Sequence, residues 1–383
     1  MTAAAARDPQ IERARAWAIL LVVAAHALMA YMRTPIAWAL REAPGVLVFD
    51  GLVWIIHSFA MPAFCLLAGA AARQTLAAHG PRAFLRRRAR RLVLPFALWV
   101  VPNSLLLAAL WRHGAALQGA REVTADAAAI QHTADPISLG HLWFLYYLIT
   151  YSALAAALWS WPLARRAVLA CSWSRTGATL ATAAPVALLL LFTQQTEITT
   201  PQRLWPSPQV WLFHALFFAA GFIARPAGPP GPARPAADGD GSGGGAQQAG
   251  LAAWRGREGW LLLAGSAALF AGLVPVLSAR PAAMPAPASV ATALLMSATS
   301  AGVLLVQPRA PAPRALQLLA DRSYQLYLFH LPVVVALQLA LLSLGWPALV
   351  KPALVTAATL ALCLGALQLG SWLSRCWRRA RSA

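Results

Sequence analysis

An arginine and a histidine stand eleven residues apart near the start of this chain, in Glu12-Arg-Ala-Arg15-Ala-Trp-Ala-Ile-Leu-Leu-Val-Val-Ala-Ala-His26. In a helix, at about 1.5 Å and 100° per residue, they lie ~16 Å apart along the axis and about 20° apart around it, so both face one side. With the guanidinium at a headgroup level, the imidazole falls near the middle of a hydrocarbon layer about 30 Å thick. Imidazole takes and returns protons near neutrality, and an ionisable group at that depth is by default a functional candidate. Three more histidines join it. His57 lies in Ile56-His57-Ser-Phe-Ala-Met61-Pro62, His141 in Gly140-His141-Leu-Trp143-Phe-Leu145, and His330 at the end of Ser323-Tyr324-Gln-Leu-Tyr327-Leu-Phe-His330, nine residues beyond Asp321. Taken singly, a helix-buried histidine is as often a structural hydrogen-bonder as a reactive group. Several converging on a bilayer interior must each find a polar partner or line a hydrated cavity. A second constellation, Arg86-Arg-Arg88-Ala-Arg-Arg91, is closed by Pro95. Forked guanidiniums suit phosphate oxygens, although arginines ahead of a span also set topology and attract anionic lipid.

The elements that must carry these groups are membrane helices. The 383 residues are 59% hydrophobic and 11% charged, where soluble domains carry about 25% charged residues. Apolar runs fall at approximately 15–32, 46–72, 92–111, 137–160, 177–194, 208–224, 259–278, 288–306, 323–344 and 352–374, each near the length of a spanning helix. The expected fold is an all-α polytopic membrane bundle of about ten transmembrane helices, one domain over 1–383. Residues 226–250, with Pro229-Pro-Gly-Pro and Gly241-Ser-Gly-Gly-Gly, read as a flexible cytoplasmic linker, unable to bury enough apolar surface to offset its ordering entropy.

A formal charge of +19 would suit nucleic acid only if the arginines gathered on one folded face between aromatic platforms. They fall instead in the gaps between apolar runs. Of the 31 Lys and Arg, 24 lie in the N-terminal tail, the C-terminal tail and every second loop, which places both termini in the cytoplasm. The four cysteines (Cys65, Cys171, Cys363 and Cys376) show no paired spacing for a disulfide framework or metal site. They read as free thiols.

Four motifs resemble the membrane acyltransferase 3 family, in its order and spacing: Arg15 with ten residues before His26, Arg88-x-x-Arg91-x-x-x-Pro95, His141-Leu-Trp143-Phe-Leu145, and Ser323-x-x-x-Tyr327-Leu-x-His330. The stretch from Phe49 to Gly69, with His57-Ser-Phe-x-Met61, is most similar to the branch called glucan biosynthesis protein C, associated with succinylating periplasmic glucans. The resemblance covers the chain apart from the linker. There are departures: Glu12 stands where the family has Asp, Ala68 precedes Gly69 where Ser is usual, and Ala60 occupies a place where that branch has Arg.

The resemblance implies transfer of an acyl group, succinyl or acetyl, from cytoplasmic acyl-CoA to a hydroxyl of a periplasmic carbohydrate, in a bacterial inner membrane. Acyl-CoA is then a co-substrate, with no resident cofactor and no metal. On this reading Arg15 and His26 are the catalytic pair, and Arg15, Arg88 and Arg91 hold the CoA phosphates. His57, His141, Trp143, Tyr327 and His330 bind the acceptor or support His26. The chemistry agrees independently of the family. A hydroxyl is a poor nucleophile and needs a base near neutrality to attack a thioester. His26 either takes the hydroxyl proton in a ternary complex or accepts the acyl group transiently. The other class the residues allow is a proton-coupled transporter or flippase with histidines relaying protons; the lack of an internal repeat weighs against it.

Overall fold

The computed structural model describes residues 9–34, 36, 38–118, 138–171, 173–193, 204–224, 242–279, 283–308 and 310–382. The helices are α1 (Pro9–Leu28), α2 (Leu47–Arg88), α3 (Leu94–Gln118), α4 (Trp143–Ser160), α5 (Pro162–Ala170), α6 (Arg175–Leu180), α7 (Ala183–Thr193), α8 (Pro208–Ile223), α9 (Ser242–Ala279), α10 (Ala286–Leu305), α11 (Arg314–Leu341) and α12 (Val350–Ser382). The one β pairing among the described residues is an isolated bridge between Met32 and Val46. The protein is an all-α polytopic membrane bundle.

Among the described residues, eight helical stretches are long and apolar enough to cross a bilayer. The sequence led us to expect about ten, and the difference lies in two places. Residues 47–117 form one helical stretch holding two of the expected runs, and the run at 208–224 forms a 16-residue helix, α8. Large apolar side chains such as Leu105, Phe192, Trp260 and Leu261 stand on the outside, where water would penalise them and hydrocarbon does not.

The arginine-rich end of the 47–117 stretch departs from expectation. Helix α2 does not stop near residue 72. It runs on to Gly80, whose φ of 73° and ψ of 171° break the helix. Only glycine adopts that backbone without strain, and Pro81 then takes the first position of a new helical segment, where its missing N–H costs nothing. The arginine cluster therefore sits on helix and not in a loop, and residues Ala89–Val93 form a π-helical turn within it. Of the expected linker, 226–241 lies outside the described residues. Helix α9 already begins at Ser242, which corrects the expectation for 242–250: once the apolar run at 259–278 has nucleated a helix, extending it backwards needs no new nucleus.

Helix α1 packs against α2, α11 and α12, while α2 also meets α4, α8 and α10. The α2–α8 contact is made backbone to backbone. A Cβ on Gly69 would run into the Phe218 carbonyl oxygen and lie 2.9 Å from the Phe222 nitrogen, and one on Gly221 would run into the Leu66 carbonyl oxygen. Small residues let membrane helices approach this closely, where dispersion between them replaces a hydrophobic driving force. Arg73, 4% exposed, reaches across the same interface and donates to the carbonyls of Ile223 and Ala224 at 2.6 and 2.8 Å. It satisfies carbonyls that the end of α8 leaves without helical donors.

At the opposite end the segment between α1 and α2 is tied down. The Asp50 carboxylate accepts from the backbone N–H groups of Arg33 and Thr34, and Lys351 at the start of α12 donates to both Glu42 oxygens at 2.8 and 2.9 Å. Lys351 is 1% exposed and Glu42 21%, so the two are not equivalent. Glu42→Gln leaves a buried ammonium without its counter-charge and costs about 3–5 kcal/mol. Lys351→Met leaves a carboxylate that water can reach and costs less. Thermal unfolding of the two variants in detergent should place Glu42→Gln below Lys351→Met.

Candidate active site

Four histidines within the apolar runs solve their polarity in the same way. His26, His57, His214 and His330 each put Nδ1 at 2.8–3.1 Å from the carbonyl four residues earlier, namely Val22, Val53, Val210 and Leu326. A carbonyl only accepts, so in the neutral ring the proton is on Nδ1 and Nε2 carries the lone pair. His330 repeats the bond to the Tyr327 carbonyl at 2.9 Å. Its Nε2 lies 3.2 Å from Nδ1 of His26. The only proton available between those nitrogens is the one on His26, shared between Val22 O and His330 Nε2. His26 is thus held in the tautomer that presents a basic Nε2, by the logic that orients the imidazole of a catalytic triad.

The others close around this pair. The His57 ring stands edge-on to His26 at 6.2 Å between centroids, and the His141 ring edge-on to His330 at 4.9 Å. His330 is completely buried and His141 5% exposed, whereas His26 is half-buried and His57 exposed. The accessible side of the cluster is therefore the His26–His57 side.

Proline shapes the rear wall. Pro332 has no N–H, so the carbonyl of Leu328, four residues earlier, has no helical donor. Two side chains take it: His141 Nε2 at 3.1 Å and Trp99 Nε1 at 2.9 Å. The Tyr327 hydroxyl in turn donates to the His141 carbonyl. His141 is delivered by the short 3₁₀ turn Gly140–Leu142, entered through Gly140 at φ +50°, a backbone that favours glycine.

Arg15 and His26, both on α1, face α11. Arg15 Nη2 donates to Ser323 Oγ at 2.9 Å, so each residue meets a polar side chain of α11, Ser323 or His330. Arg88 immediately precedes the π turn and Arg91 lies within it. Arg91 is exposed, and the Arg88 guanidinium lies 5.0 Å from the centre of the Phe84 ring, a cation–π contact. Trp143 does not join the cluster. Its ring packs on His214 and Tyr147 at 4.9 and 5.4 Å, because consecutive positions on α4 face different neighbours and Phe144 takes the side toward Tyr327. The structure thus brings together His26, His57, His141, Tyr327 and His330, with Arg15 along the same helix pair. Trp143 is a packing residue beside them.

Two residues of the site had not been singled out from the sequence. Gln338, with no exposed surface, donates to the carbonyls of His26 and Ala27, both at 3.0 Å, which the end of α1 leaves without helical partners. It also accepts from Trp38 Nε1 at 2.9 Å. The Trp38 indole stacks on the His26 imidazole, 5.9 Å between centroids and 16° between planes. An amide inside an apolar run is a legible signal for Gln338. Trp38 lies in a non-helical segment, where no periodicity marks it.

A cluster of imidazoles in a bundle of apolar helices, with guanidiniums toward one end, fits an integral membrane protein. The sequence profile described as an acyltransferase domain matches residues 8–368, and the chain belongs to that family, acyltransferase 3. It is a membrane acyltransferase. Searches of curated proteins and of solved structures matched nothing.

Proposed function

We propose that the protein transfers an acyl group from cytoplasmic acyl-CoA to a hydroxyl of a carbohydrate on the far side of a bacterial inner membrane. The observation that carries this is the 3.2 Å contact between His330 Nε2 and His26 Nδ1, which leaves Nε2 of His26 as a base on the last turn of α1, nearer the helix end than the mid-membrane depth expected from its spacing to Arg15. Both termini then face the cytoplasm, in keeping with the distribution of basic residues. Arg15, Arg88 and Arg91 hold CoA phosphates at that mouth, and the pantetheine arm reaches inward. His26 Nε2 takes the proton of the acceptor hydroxyl, and the oxygen bonds to the thioester carbonyl carbon. The C–S bond breaks and the departing thiolate recovers the proton from the imidazolium. His330 keeps Nδ1–H of His26 engaged throughout. His57, on the accessible side, meets the acceptor, and His141 and Tyr327 hold the wall behind His330.

Family membership favours this reading over a proton-coupled transporter. Succinyl and acetyl are the donors to test first, and the branch that succinylates glucans is the narrower form of the proposal; Ala60, buried at 1% exposure, stands where that branch has arginine. The experiment is incubation of the reconstituted protein with a panel of acyl-CoA donors and a periplasmic glycan fraction, then mass analysis of the glycan. A gain of about 100 mass units per site means succinyl and about 42 acetyl, the masses left when the thioester is attacked by a hydroxyl. No gain with any donor overturns the proposal. Neutralising both Arg88 and Arg91 to Gln should raise the KM for acyl-CoA roughly tenfold or more, about 1–2 kcal/mol of charge-assisted contact, at unchanged acceptor KM. An unchanged donor KM returns the cluster to a purely topological role.

A further inference from the structure

We infer that Trp38 is the roof of the reaction centre and sets how the acyl group partitions between acceptor alcohol and water. The inference rests on the acyl-transfer reading above, but the roof itself is a matter of geometry. Trp38 belongs to the segment that follows α1 at the end opposite Arg15, and its indole runs nearly parallel to the His26 ring, offset, with 5.9 Å between centroids. Beyond it stands Trp111, edge-on at 5.5 Å, twelve residues further along α3 than Trp99, which lines the rear wall. That spacing is ~18 Å of helix. Two indoles thus stand in series between His26 and that end.

The roof is anchored and not merely laid in place. Gln338 accepts from the indole N–H while both of its own hydrogens go to the last carbonyls of α1. One amide therefore fixes the indole and the helix end that carries His26 in a single register. Next to Trp38, the Ala39 carbonyl sits so close to Gly114 that no Cβ fits there. Further along, Glu42 donates its backbone N–H to the Ala30 carbonyl and Val46 to that of Tyr31.

A base that activates an alcohol activates water equally well. Attack by water on the same thioester carbonyl breaks the same C–S bond and yields a carboxylic acid and free CoA. Excluding water is therefore part of making a transferase rather than a hydrolase. An apolar ring stacked on the imidazole does this on the side away from the arginines, and the accessible flank at His57 remains for the acceptor.

The test uses Trp38→Ala and Trp38→Phe in the reconstituted full chain. CoA release is followed with and without glycan, and a small charged methanethiosulfonate is applied from the side opposite the arginine cluster to a thiol introduced by His26→Cys, with Trp38 intact or replaced by Ala. Expected are a rise of at least tenfold in the ratio of hydrolysis to transfer for Trp38→Ala, most of it reversed in Trp38→Phe, and at least tenfold faster labelling once the indole is gone. Hydrolysis and transfer falling by the same factor would overturn the partition role. Labelling at the same rate with and without the indole would overturn the roof, whatever the activities. Faster labelling in a protein whose parent neither transfers nor hydrolyses upholds the roof and sinks the acyl-transfer reading instead.

Discussion

His26→Ala should lower kcat for acyl transfer by about 10²–10⁴-fold, the usual contribution of a positioned general base, with the KM for acyl-CoA unchanged. Arg15, one of the phosphate-binding groups proposed for the donor, stands ~16 Å down the helix axis from His26, so donor affinity should not register the change. His330→Ala should cost less, because Val22 O alone still holds the Nδ1 proton of His26. The double variant should lose no more than His26→Ala, since groups that act as one unit are non-additive. Steady-state kinetics on purified variants with matching elution profiles decide the matter. Parental rates for His26→Ala would refute the base; a His330 effect that simply multiplies onto the His26 effect would refute the pair. Mass analysis of the protein after acyl-CoA alone separates the two chemistries: an acyl adduct on the peptide carrying His26 means a covalent intermediate, and its absence alongside transfer means direct attack.

Gly69→Ala should destabilise the bundle by more than one methyl group ordinarily can. Overpacking a core costs about 1–3 kcal/mol when side chains can shift; here the obstacle is the Phe218 carbonyl and the Phe222 nitrogen, backbone atoms of a helix that has no rotamer to change. Helices α2 and α8 must move apart, which also draws Arg73 away from the carbonyls it caps. Gly221→Ala meets the Leu66 carbonyl from the other side and should behave alike. The two together should cost less than their sum, because helices already separated by one methyl have room for the other. Thermal unfolding in detergent reads all three, and an unchanged melting temperature for Gly69→Ala would show that the contact is looser than described.

How much of the fold and site is legible in the sequence depends on the range of the forces involved. The helical class, the membrane and the approximate place of each apolar run follow from composition and run length, because a bilayer imposes its thickness on every segment separately. The same-side placement of Arg15 and His26 follows from helical periodicity alone. The cost of an ionisable group in hydrocarbon makes His57, His141 and His330 candidates by their position within apolar runs. The exposed His57 and the buried Trp143 show where that reasoning stops: it ranks residues by depth and cannot see which face of a helix meets which neighbour.

Sequence by itself thus determined that this is a bundle of apolar helices with titratable groups inside its apolar runs, since hydropathy and helical period are local properties. Only the tertiary structure decided that His330, 304 positions away, stands 3.2 Å from Nδ1 of His26, that Pro332 frees a carbonyl for His141 and Trp99, and that Gln338 holds Trp38 beside the ring. Each of these is a pairing between distant segments. A hydrogen bond that forms only when two helices meet leaves no trace in the spacing of either.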